Sequence, residues 1–269
     1  MDSPVVWFPQ ICEATCEMPR LAALNVLDSL SDEAFSKEYA ARSMPFLLRL
    51  GALKFSEAEI LGLLQGAYGD QTVNVRFGNM ADPGSYLNRR EEEMPLGNFI
   101  REHFMQVNDA GTAYAAGTVI PVEMARDLGV SFPMFYPEYF FNEPRMWMGK
   151  KGTVTALHKD IADNFSFAYF GAKEWLLYPP ADFPYLYMIH PNPNALPDFG
   201  VSMVNAKSPD ATRFPEFSKA TPISITQRAG DLLYVPAGWS HFVENHEDSL
   251  MINFWLRRGR SPAVLGRDR

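Results

Sequence analysis

The chain has 269 residues, of which 47% are hydrophobic and 21% are charged, so it can bury a full core and its composition speaks against global disorder. The net charge of −8 and the absence of a Lys/Arg run disfavour a nucleic-acid partner and are compatible with a basic peptide partner.

The N-terminus gives no targeting signal. Residues 1–8 lack a basic region followed by an apolar run, and no stretch approaches the ~20 apolar residues of a membrane span, so we expect neither a signal peptide nor a membrane anchor. Cys12 and Cys16 are the two cysteines, too few for a disulfide framework or a four-ligand zinc site. We expect reduced thiols and a cytoplasmic protein.

The first half of the chain is predicted to combine helices with a few leading strands. Ser56 and Glu59 form a capping box before an apolar run, and Pro121 and Gly129 bracket another helix. With apolar spacing, these signals predict helices over residues 21–30, 32–42, 56–66, 96–104 and 121–129. Strands are predicted over residues 44–50, 73–77 and 112–117, and a loop over residues 76–93.

From about residue 140 the pattern changes to short apolar or alternating runs separated by turn residues. Such runs lie at residues 145–149, 153–157, 165–170, 174–178, 223–226, 231–235, 242–245 and 250–256. Short strands with little helix between them indicate a sandwich or barrel. The proline-rich segment 179–222 is too long for a simple hairpin and is predicted to contain loops, which at this length are usually functional or mobile.

Two stretches bring together residues that bind metals. His158 and Asp160 are two apart at the end of an alternating strand, so both side chains can reach one point, and His241 follows another apolar strand. Two imidazoles and one carboxylate make the facial triad of non-haem iron(II) oxygenases, although manganese, cobalt or nickel would also suit these ligands. The alternative is that all three are ordinary polar residues of a barrel interior. A second His-x-Asp pair, His246 and Asp248, lies in a polar run that is typical of a turn.

The segment Gly230 to Asn245 has the pattern G-x5-P-x-G-x2-H-x3-N, which resembles the second cupin motif. Residues 147–255 resemble the JmjC-type, cupin-like 2-oxoglutarate oxygenases, and most of all the asparaginyl hydroxylases that act on hypoxia-inducible factor and their bacterial relatives. This resemblance implies a mainly β fold, a double-stranded β-helix or jelly roll with flanking N-terminal α-helices. It also implies a single domain over residues 1–269, with helices and leading strands in 1–140 and the β-helix core in 141–258.

The resemblance also implies site residues. His158, Asp160 and His241 would be the iron ligands, while Thr155 and Lys173 would hold the distal carboxylate of 2-oxoglutarate. A dicarboxylate needs a cation at its free end, and Lys173 begins an apolar strand, where a lysine is either inward with a fixed anion or exposed at the strand end. Other residues near the cosubstrate would be Asn164, Asn253 and, at a different spacing, Tyr114. Lys159 should point to the opposite face, and core or pocket-wall positions are expected for Trp147, Tyr169 and Trp239.

The implied activity is hydroxylation with Fe(II), O2 and 2-oxoglutarate, giving succinate and CO2. A protein or peptide side chain is the first substrate hypothesis, followed by a small metabolite or amino acid and by N-methyl-lysine demethylation. A non-catalytic cupin-like binding domain and a metal-dependent isomerase are alternatives of another class. The substrate rim is expected in loops 78–95 and 179–220, with Tyr185, Tyr187 and His190. Since 16 residues follow Asn253, the C-terminal dimerisation helices of the hydroxylase are not expected, and the oligomeric state stays open.

Overall fold

The structure, a computed structural model, describes residues 23–78, 80–106, 113–129, 144–189 and 200–256. Fifteen strands in this part of the chain form two sheets. The early strands are β1 (Asn25–Leu27), β2 (Phe46–Arg49), β3 (Thr72–Phe77), β4 (Arg90–Pro95) and β5 (Ala113–Val119). The later strands are β6 (Arg145–Gly149), β7 (Val154–Lys159), β8 (Asp163–Phe170), β9 (Ala172–Tyr178), β10 (Met188–Ile189), β11 (Gly200–Ser202), β12 (Ile223–Arg228), β13 (Asp231–Val235), β14 (Ser240–Asn245) and β15 (Ser249–Leu256).

The two sheets form a jelly roll. The larger has the order β1-β2-β13-β8-β15-β6-β5-β3-β4, and the smaller has the order β10-β11-β7-β14-β9-β12. From β6 onward the chain returns repeatedly from one sheet to the other, and all pairs within this core are antiparallel. This topology, with four core strands in each sheet, confirms the predicted double-stranded β-helix.

Alternation along the strands explains why the sheets have two apolar faces. On β13, Leu233 and Val235 pack between the sheets with Trp175 of β9, whereas Leu232 and Tyr234 pack on the other face. Side chains two apart share a face, so one strand contributes to two separate cores. The site described below lies between the two sheets.

Short helices flank the two sheets. Those that pack on the outer face of the larger sheet are α2 (Glu57–Ala67), α4 (Leu96–Phe99) and α5 (Val122–Asp127), together with π-helical turns at Phe35–Ala40, which follows α1 (Asp32–Ala34), and at Ile100–Phe104. The 3-10 turns at Pro180–Tyr185 and Pro215–Lys219 pack with strands of the smaller sheet, and α3 (Pro83–Leu87) precedes β4. The Ser56–Glu59 capping box is present, and Phe35 packs against Phe165 and Tyr234 of the sheet. The flanking N-terminal helices over residues 32–42, 56–66, 96–104 and 121–129 are therefore confirmed.

Two predictions for the first half are wrong. Residues 25–27 form β1, which pairs in parallel with β2, so pairing with a neighbouring strand overrides the helical spacing of residues 21–30. Residues 76–93, predicted as a loop, contain α3 and the start of β4, which pairs along its whole length with β3. β4 has the sequence R-E-E-E-M-P, a charged edge strand that has no apolar alternation to reveal it.

The segment 179–222, predicted to contain loops, also contains short regular elements. These are β10, β11 and the two 3-10 turns. No helix in the described residues is long and apolar enough to cross a membrane. Cys12, Cys16 and His190 lie outside the described residues.

Candidate active site

The smaller sheet brings the three predicted metal ligands together. His158 of β7 and His241 of β14 stand directly opposite each other in the strand register, and their rings are 4.2 Å apart between centroids. Asp160 follows β7, and its two carboxylate oxygens each lie 3.8 Å from an imidazole Nε2 atom, Oδ1 from His158 and Oδ2 from His241. All three donor atoms fall within 4.8 Å of one another. Two ligands that share one ion at about 2.1 Å are up to about 4.2 Å apart, so these spacings suit a common metal ion.

Backbone carbonyls orient both imidazoles. His158 Nδ1 lies 2.8 Å from the carbonyl oxygen of Ala156, and His241 Nδ1 lies 3.4 Å from that of Trp239. Because a carbonyl only accepts, Nδ1 is the donating nitrogen of each neutral ring, and Nε2 keeps its lone pair on the side of Asp160. This second contact is the usual way in which proteins fix the tautomer of a metal-binding histidine.

Burial disfavours the charged forms of Asp160 and His241. It raises the pKa of Asp160, although the charges of His158 and Arg145 and a hydrogen bond from Asn164 act in the opposite direction. Burial, and next the charge of His158, lower the pKa of His241 well below its usual range. A neutral imidazole is the form that binds metals, and a buried carboxylate is stabilised by a cation. The donor set therefore fits a divalent metal ion.

Lys173 at the start of β9 is buried, with 1% of its surface exposed. Its ammonium group donates to Asn245 Oδ1 at 2.7 Å and to Tyr114 Oη at 3.2 Å, both of which are neutral oxygens. Burial lowers the pKa of Lys173 to about 7. Among the described residues it has no carboxylate partner, which is the environment that an anionic ligand would complete.

Tyr114 contacts this ammonium group, and Thr155 acts on Tyr114. Tyr114 lies on β5 and Thr155 on β7, and the Thr155 side chain favours a lower pKa of Tyr114, which burial outweighs. Burial raises the pKa of Tyr114 to about 12, so its hydroxyl stays protonated at neutral pH. The structure thus brings Tyr114 to Lys173 and Thr155 in spite of its different spacing along the chain.

Asn245 also belongs to this cluster, although sequence analysis identified it only as the last position of the cupin-like motif. Its Nδ2 donates to Thr153 Oγ1 at 2.6 Å and to the carbonyl oxygens of Gly149 at 3.1 Å and Lys150 at 3.3 Å. These acceptors fix the amide so that Oδ1 faces Lys173. Its place opposite Lys173 in the β14–β9 register was the signal that could have revealed it.

A cavity of about 420 Å³ joins the two clusters, a volume within the range of small-molecule sites. Its described lining comprises Arg76, Arg89, Tyr114, Gly117, Arg145, Trp147, Thr155, His158, Asp160, Asn164, Trp175, His241, Val243, Met251, Asn253 and Trp255. Asn253 accepts a hydrogen bond from the Trp147 indole at 3.0 Å, and Asn164 donates to Asp160 Oδ2 at 3.5 Å. The Asn164 Oδ1 atom is buried without a hydrogen-bond partner in the described residues, as expected where a ligand or its bound water supplies a donor.

The other residues singled out in the sequence lie outside this cavity or in its wall. Lys159 points away and lies over the Phe183 ring at 4.9 Å, as predicted. Tyr169 and Trp239 are core residues, and Trp147 lines the cavity. The lining includes neither Tyr185 nor Tyr187, and the Tyr187 hydroxyl instead accepts from the Glu216 amide. Three arginines that line the cavity, Arg76, Arg89 and Arg145, were not identified as site residues from the sequence. Nothing in the sequence around them distinguishes them from surface arginines.

The second His-x-Asp pair does not converge on a metal site. Residues 246–248 form the turn between β14 and β15, where Asp248 accepts from the Lys151 amide at 2.8 Å. His246 instead approaches Glu174 at 3.3 Å, beside Glu244. The ammonium group of Lys207 already bridges both glutamates, so a cation of the chain itself lies in this exposed cluster.

Comparison with known proteins agrees with this geometry. Residues 32–260 match the family described as cupin-like domain. The chain belongs to this family. Among curated proteins it is 33% identical over 125 residues to human "Bifunctional peptidase and (3S)-lysyl hydroxylase JMJD7", covering 40% of each chain. It is 36% identical over 119 residues to human "HSPB1-associated protein 1", covering 42% of this chain and 23% of the relative.

A third relative names the chemistry directly. The chain is 35% identical over 123 residues to "2-oxoglutarate and iron-dependent oxygenase JMJD4" of Gallus gallus, covering 45% of this chain and 28% of the relative. The matched stretch thus spans less than half the length of these relatives. The resemblance to JmjC-type, cupin-like oxygenases is confirmed, and the relatives support the predicted cofactors iron, 2-oxoglutarate and O2.

Proposed function

We propose that this protein is an Fe(II)- and 2-oxoglutarate-dependent dioxygenase that hydroxylates a side chain of a protein or peptide, with succinate and CO2 as co-products. One observation carries the proposal. The same cavity wall holds a two-histidine, one-carboxylate set and, through Tyr114 and Thr155, a buried ammonium group whose partners are neutral. A metal site alone needs no such ammonium group, whereas a dicarboxylate cosubstrate needs both.

The three ligands would hold the iron from one side. His158 and His241 would each bind through Nε2 and Asp160 through a carboxylate oxygen, which leaves the opposite coordination positions for cosubstrate and oxygen. When bound, the metal supplies the redox chemistry that activates oxygen, and the protein supplies position and environment. The buried Trp175 ring lies 5.5 Å from the His241 ring and helps to exclude water from that ligand.

The Lys173 cluster would bind the distal carboxylate of 2-oxoglutarate. Its ammonium group supplies the charge, and the hydroxyl groups of Tyr114 and Thr155 supply directional donors at the cavity wall. Asn164 and Asn253 would orient the cosubstrate nearer to the metal, since one contacts Asp160 and the other is fixed by the Trp147 indole. All these groups are held by strands, so the site is largely formed before ligands bind.

A protein or peptide substrate is favoured because the JMJD7 relative is named a lysyl hydroxylase. The same chemistry on a small metabolite or amino acid is the second candidate, and the cavity volume of about 420 Å³ is compatible with it. A non-catalytic cupin-like binding domain is disfavoured. Such a domain would have no need of a buried ammonium group whose described partners are neutral oxygens, as those of Lys173 are.

The proposal is tested by an anaerobic titration. Fe(II) and then 2-oxoglutarate are added, and the weak visible charge-transfer band of the chelate is measured in the wild type and in His158→Ala. We expect the band in the wild type alone, followed by succinate formation with O2. Iron binding without the band would contradict the dioxygenase assignment, and a wild type that binds no iron would indicate a binding module.

A further inference from the structure

Asn164 and Trp255 are neighbours in the wall of the cavity. They stand directly opposite each other in the register of β8 and β15, and both line the cavity that contains the candidate metal site. Opposite residues of an antiparallel pair project to the same face of the sheet, with Cβ atoms about 4.5–5.5 Å apart. One small chemical group in the cavity can therefore contact both side chains.

Each of these two side chains has a buried polar atom without a hydrogen-bond partner among the described residues, namely Asn164 Oδ1 and Trp255 Nε1. Asn164 is only 2% exposed. The indoles of Trp147, Trp175 and Trp239, by contrast, each donate to an oxygen atom at 2.9 or 3.0 Å. Because buried polar atoms are nearly always paired, these two atoms indicate a place where a ligand supplies the partners.

The metal ligand beside Asn164 sets the orientation of its amide. Asn164 Nδ2 donates to Asp160 Oδ2 at 3.5 Å, and an ionised carboxylate can only accept. Rotating the amide by half a turn would bring two oxygen atoms together, so Oδ1 is the atom left for a ligand. The Arg145 guanidinium lies over the Trp255 ring at 5.0 Å and holds the plane of that ring. The pair thus offers one oriented acceptor and one oriented donor.

The cosubstrate of the proposed function cannot satisfy both atoms. At neutral pH 2-oxoglutarate carries only acceptor oxygens, so it offers no donor to Asn164 Oδ1, and a carboxylate group of a substrate fails for the same reason. Amides supply both an N–H donor and a carbonyl acceptor. In an extended polypeptide the N–H and the C=O of one residue point to the same side, as they do when that residue exchanges both hydrogen bonds with a neighbouring strand.

We propose that Asn164 and Trp255 form a substrate-binding pair for amide groups, in which Asn164 Oδ1 accepts from a substrate N–H and Trp255 Nε1 donates to a substrate carbonyl oxygen. This assignment rests on the proposed function and specifies its substrate class. Because the Asn164 amide also contacts Asp160, the bound amide lies beside the metal set, close to the atom that is oxidised. Two sources share this chemistry, the backbone of an extended residue in a polypeptide and a primary carboxamide.

The test observes binding by NMR in protein loaded with Zn(II) and 2-oxoglutarate, since Zn(II) is diamagnetic and binds imidazole and carboxylate ligands. The backbone probe is N-acetyl-alanine methylamide, and its control has an ester oxygen in place of the alanine N–H. Acetamide is the carboxamide probe, and methyl acetate is its control. The methyl signal of Met251 reports affinity, because Met251 lines the cavity and is not part of the pair.

We expect at least one amide probe to bind roughly fivefold or more tightly than its ester control, which is the effect of one hydrogen bond. The same probe should move the indole N–H signal of Trp255 downfield. The indole signals of Trp147, Trp175 and Trp239 should stay in place, because these groups are already bonded within the protein. The probe with the larger amide-to-ester ratio identifies the source of the amide.

A substitution separates the two halves of the pair. Trp255→Phe keeps an aromatic ring and removes the donor, so affinity for the amide probe should fall roughly fivefold. Its amide-to-ester ratio should persist, because the ester control tests Asn164, which is unchanged. The matched control is Tyr39→Phe, which removes an aromatic hydroxyl that is bonded to Asn25 outside the cavity lining, and affinity should stay at the wild-type value.

The substrate assignment and the proposed function fail in different ways. Equal affinity for amide and ester, unchanged affinity in Trp255→Phe, or an indole shift of Trp255 that is complete once 2-oxoglutarate is added would overturn the substrate assignment alone. Absence of the Fe(II)–2-oxoglutarate band from the wild type would overturn the proposed function itself. An unchanged band in Trp255→Phe shows that this variant is folded and loaded. If the variant does not fold, the amide-to-ester comparison in the wild type decides.

Discussion

Replacing Lys173 by methionine should stabilise the ligand-free protein and weaken 2-oxoglutarate binding at the same time. Methionine has a similar length and fills the same buried space without a charge. The ammonium group that it replaces is 1% exposed and contacts the neutral oxygens of Asn245 and Tyr114. The buried, uncompensated ammonium group therefore destabilises the ligand-free fold, and the same charge would bind the carboxylate of 2-oxoglutarate.

The magnitude follows from the pKa. Burial lowers the pKa of Lys173 from 10.5 to about 7, which at pH 7 corresponds to a free-energy cost on the order of 4 kcal/mol. Losing the hydrogen bond leaves the Asn245 oxygen unpaired, at a cost of about 1–3 kcal/mol. We therefore expect Lys173→Met to raise the free energy of unfolding by roughly 2 kcal/mol at pH 7.

The pH dependence has a definite sign. The folded-state pKa is below the unfolded one, so between about pH 7 and 10.5 the unfolded chain binds more protons at this residue. This group therefore makes the wild type more stable as the pH rises through that window. The advantage of Lys173→Met should be largest below pH 7 and should vanish at about pH 9, where the cost of the charge equals the roughly 2 kcal/mol lost with the Asn245 hydrogen bond. Towards pH 10.5 the variant should be the less stable protein.

Binding of 2-oxoglutarate should show the opposite effect. Removing the cation leaves a carboxylate buried without its charge partner, which costs about 3–5 kcal/mol, an affinity loss of roughly two to almost four orders of magnitude. Iron affinity should stay nearly unchanged. In the wild type, the cosubstrate needs the protonated lysine, so its affinity should fall above about pH 7 and approach a tenfold loss per pH unit from this group.

Denaturant unfolding at pH 7 and pH 9, with calorimetric titration of 2-oxoglutarate, measures both effects. Lys207→Met is the matched control, because Lys207 pairs with Glu174 and Glu244 away from the cavity, and it should bring no gain in stability and no change in cosubstrate affinity. A variant of Lys173 that unfolds more easily while binding 2-oxoglutarate normally would refute the reasoning.

Three further substitutions test the site and the fold. His158→Ala should abolish iron binding measured by metal titration, whereas His246→Ala should leave it intact, and the reverse result would mean that the metal site is misplaced. Asn245→Ala should lower 2-oxoglutarate affinity on the order of tenfold without changing iron affinity, because Asn245 accepts a hydrogen bond from Lys173 and positions it. Equal loss of both affinities would show that the substitution disrupts the site as a whole. Gly230→Ala should lower the free energy of unfolding by ~2 kcal/mol or more, because Gly230 has φ +85° and an added Cβ would lie 2.3 Å from the Gly51 carbonyl oxygen. Gly62→Ala, in an exposed part of α2 with nothing within 4 Å, should instead stabilise by up to ~1 kcal/mol, and denaturant unfolding compares the two.

The jelly-roll strands and the metal ligands were predictable because their signals are local. β7 and β14 alternate or run apolar, and two-residue spacing places His158 and Asp160 together without knowledge of any other strand. The pairing of His158 with His241 is a long-range contact, and it came from the resemblance to a known motif. Lys173 was predicted in the same way, since the residues alone favoured an exposed strand end and the resemblance reversed that interpretation.

The features that sequence reasoning missed depend on contacts between distant segments. β1 has a helical spacing of apolar residues, but its backbone hydrogen bonds are made with β2. β4 is a run of charged residues that becomes a strand only because β3 is beside it. Arg145 and Arg76 are polar positions in strands, and their inward direction depends on which face of each strand closes the cavity. The strand register determines which segments pair and which face of a strand each side chain occupies, and this register is set only in the assembled sheet.

The distribution of residues between the two sheets suggests how one chemistry is combined with a particular substrate. Thr155, His158, Lys173 and His241 all lie on strands of the smaller sheet, whereas Trp147 and Trp255 line the same cavity from strands of the larger sheet. Tyr114, Asn164 and Asn253 also belong to the larger sheet, and Tyr114 reaches from β5 to the Lys173 cluster. The smaller sheet would thus supply the histidine ligands and the cation, and the larger sheet would complete the cosubstrate site and contribute the indole rings of the substrate space. Substitution of Trp255, which lines the cavity from β15, should therefore change substrate affinity while the Fe(II)–2-oxoglutarate band stays intact.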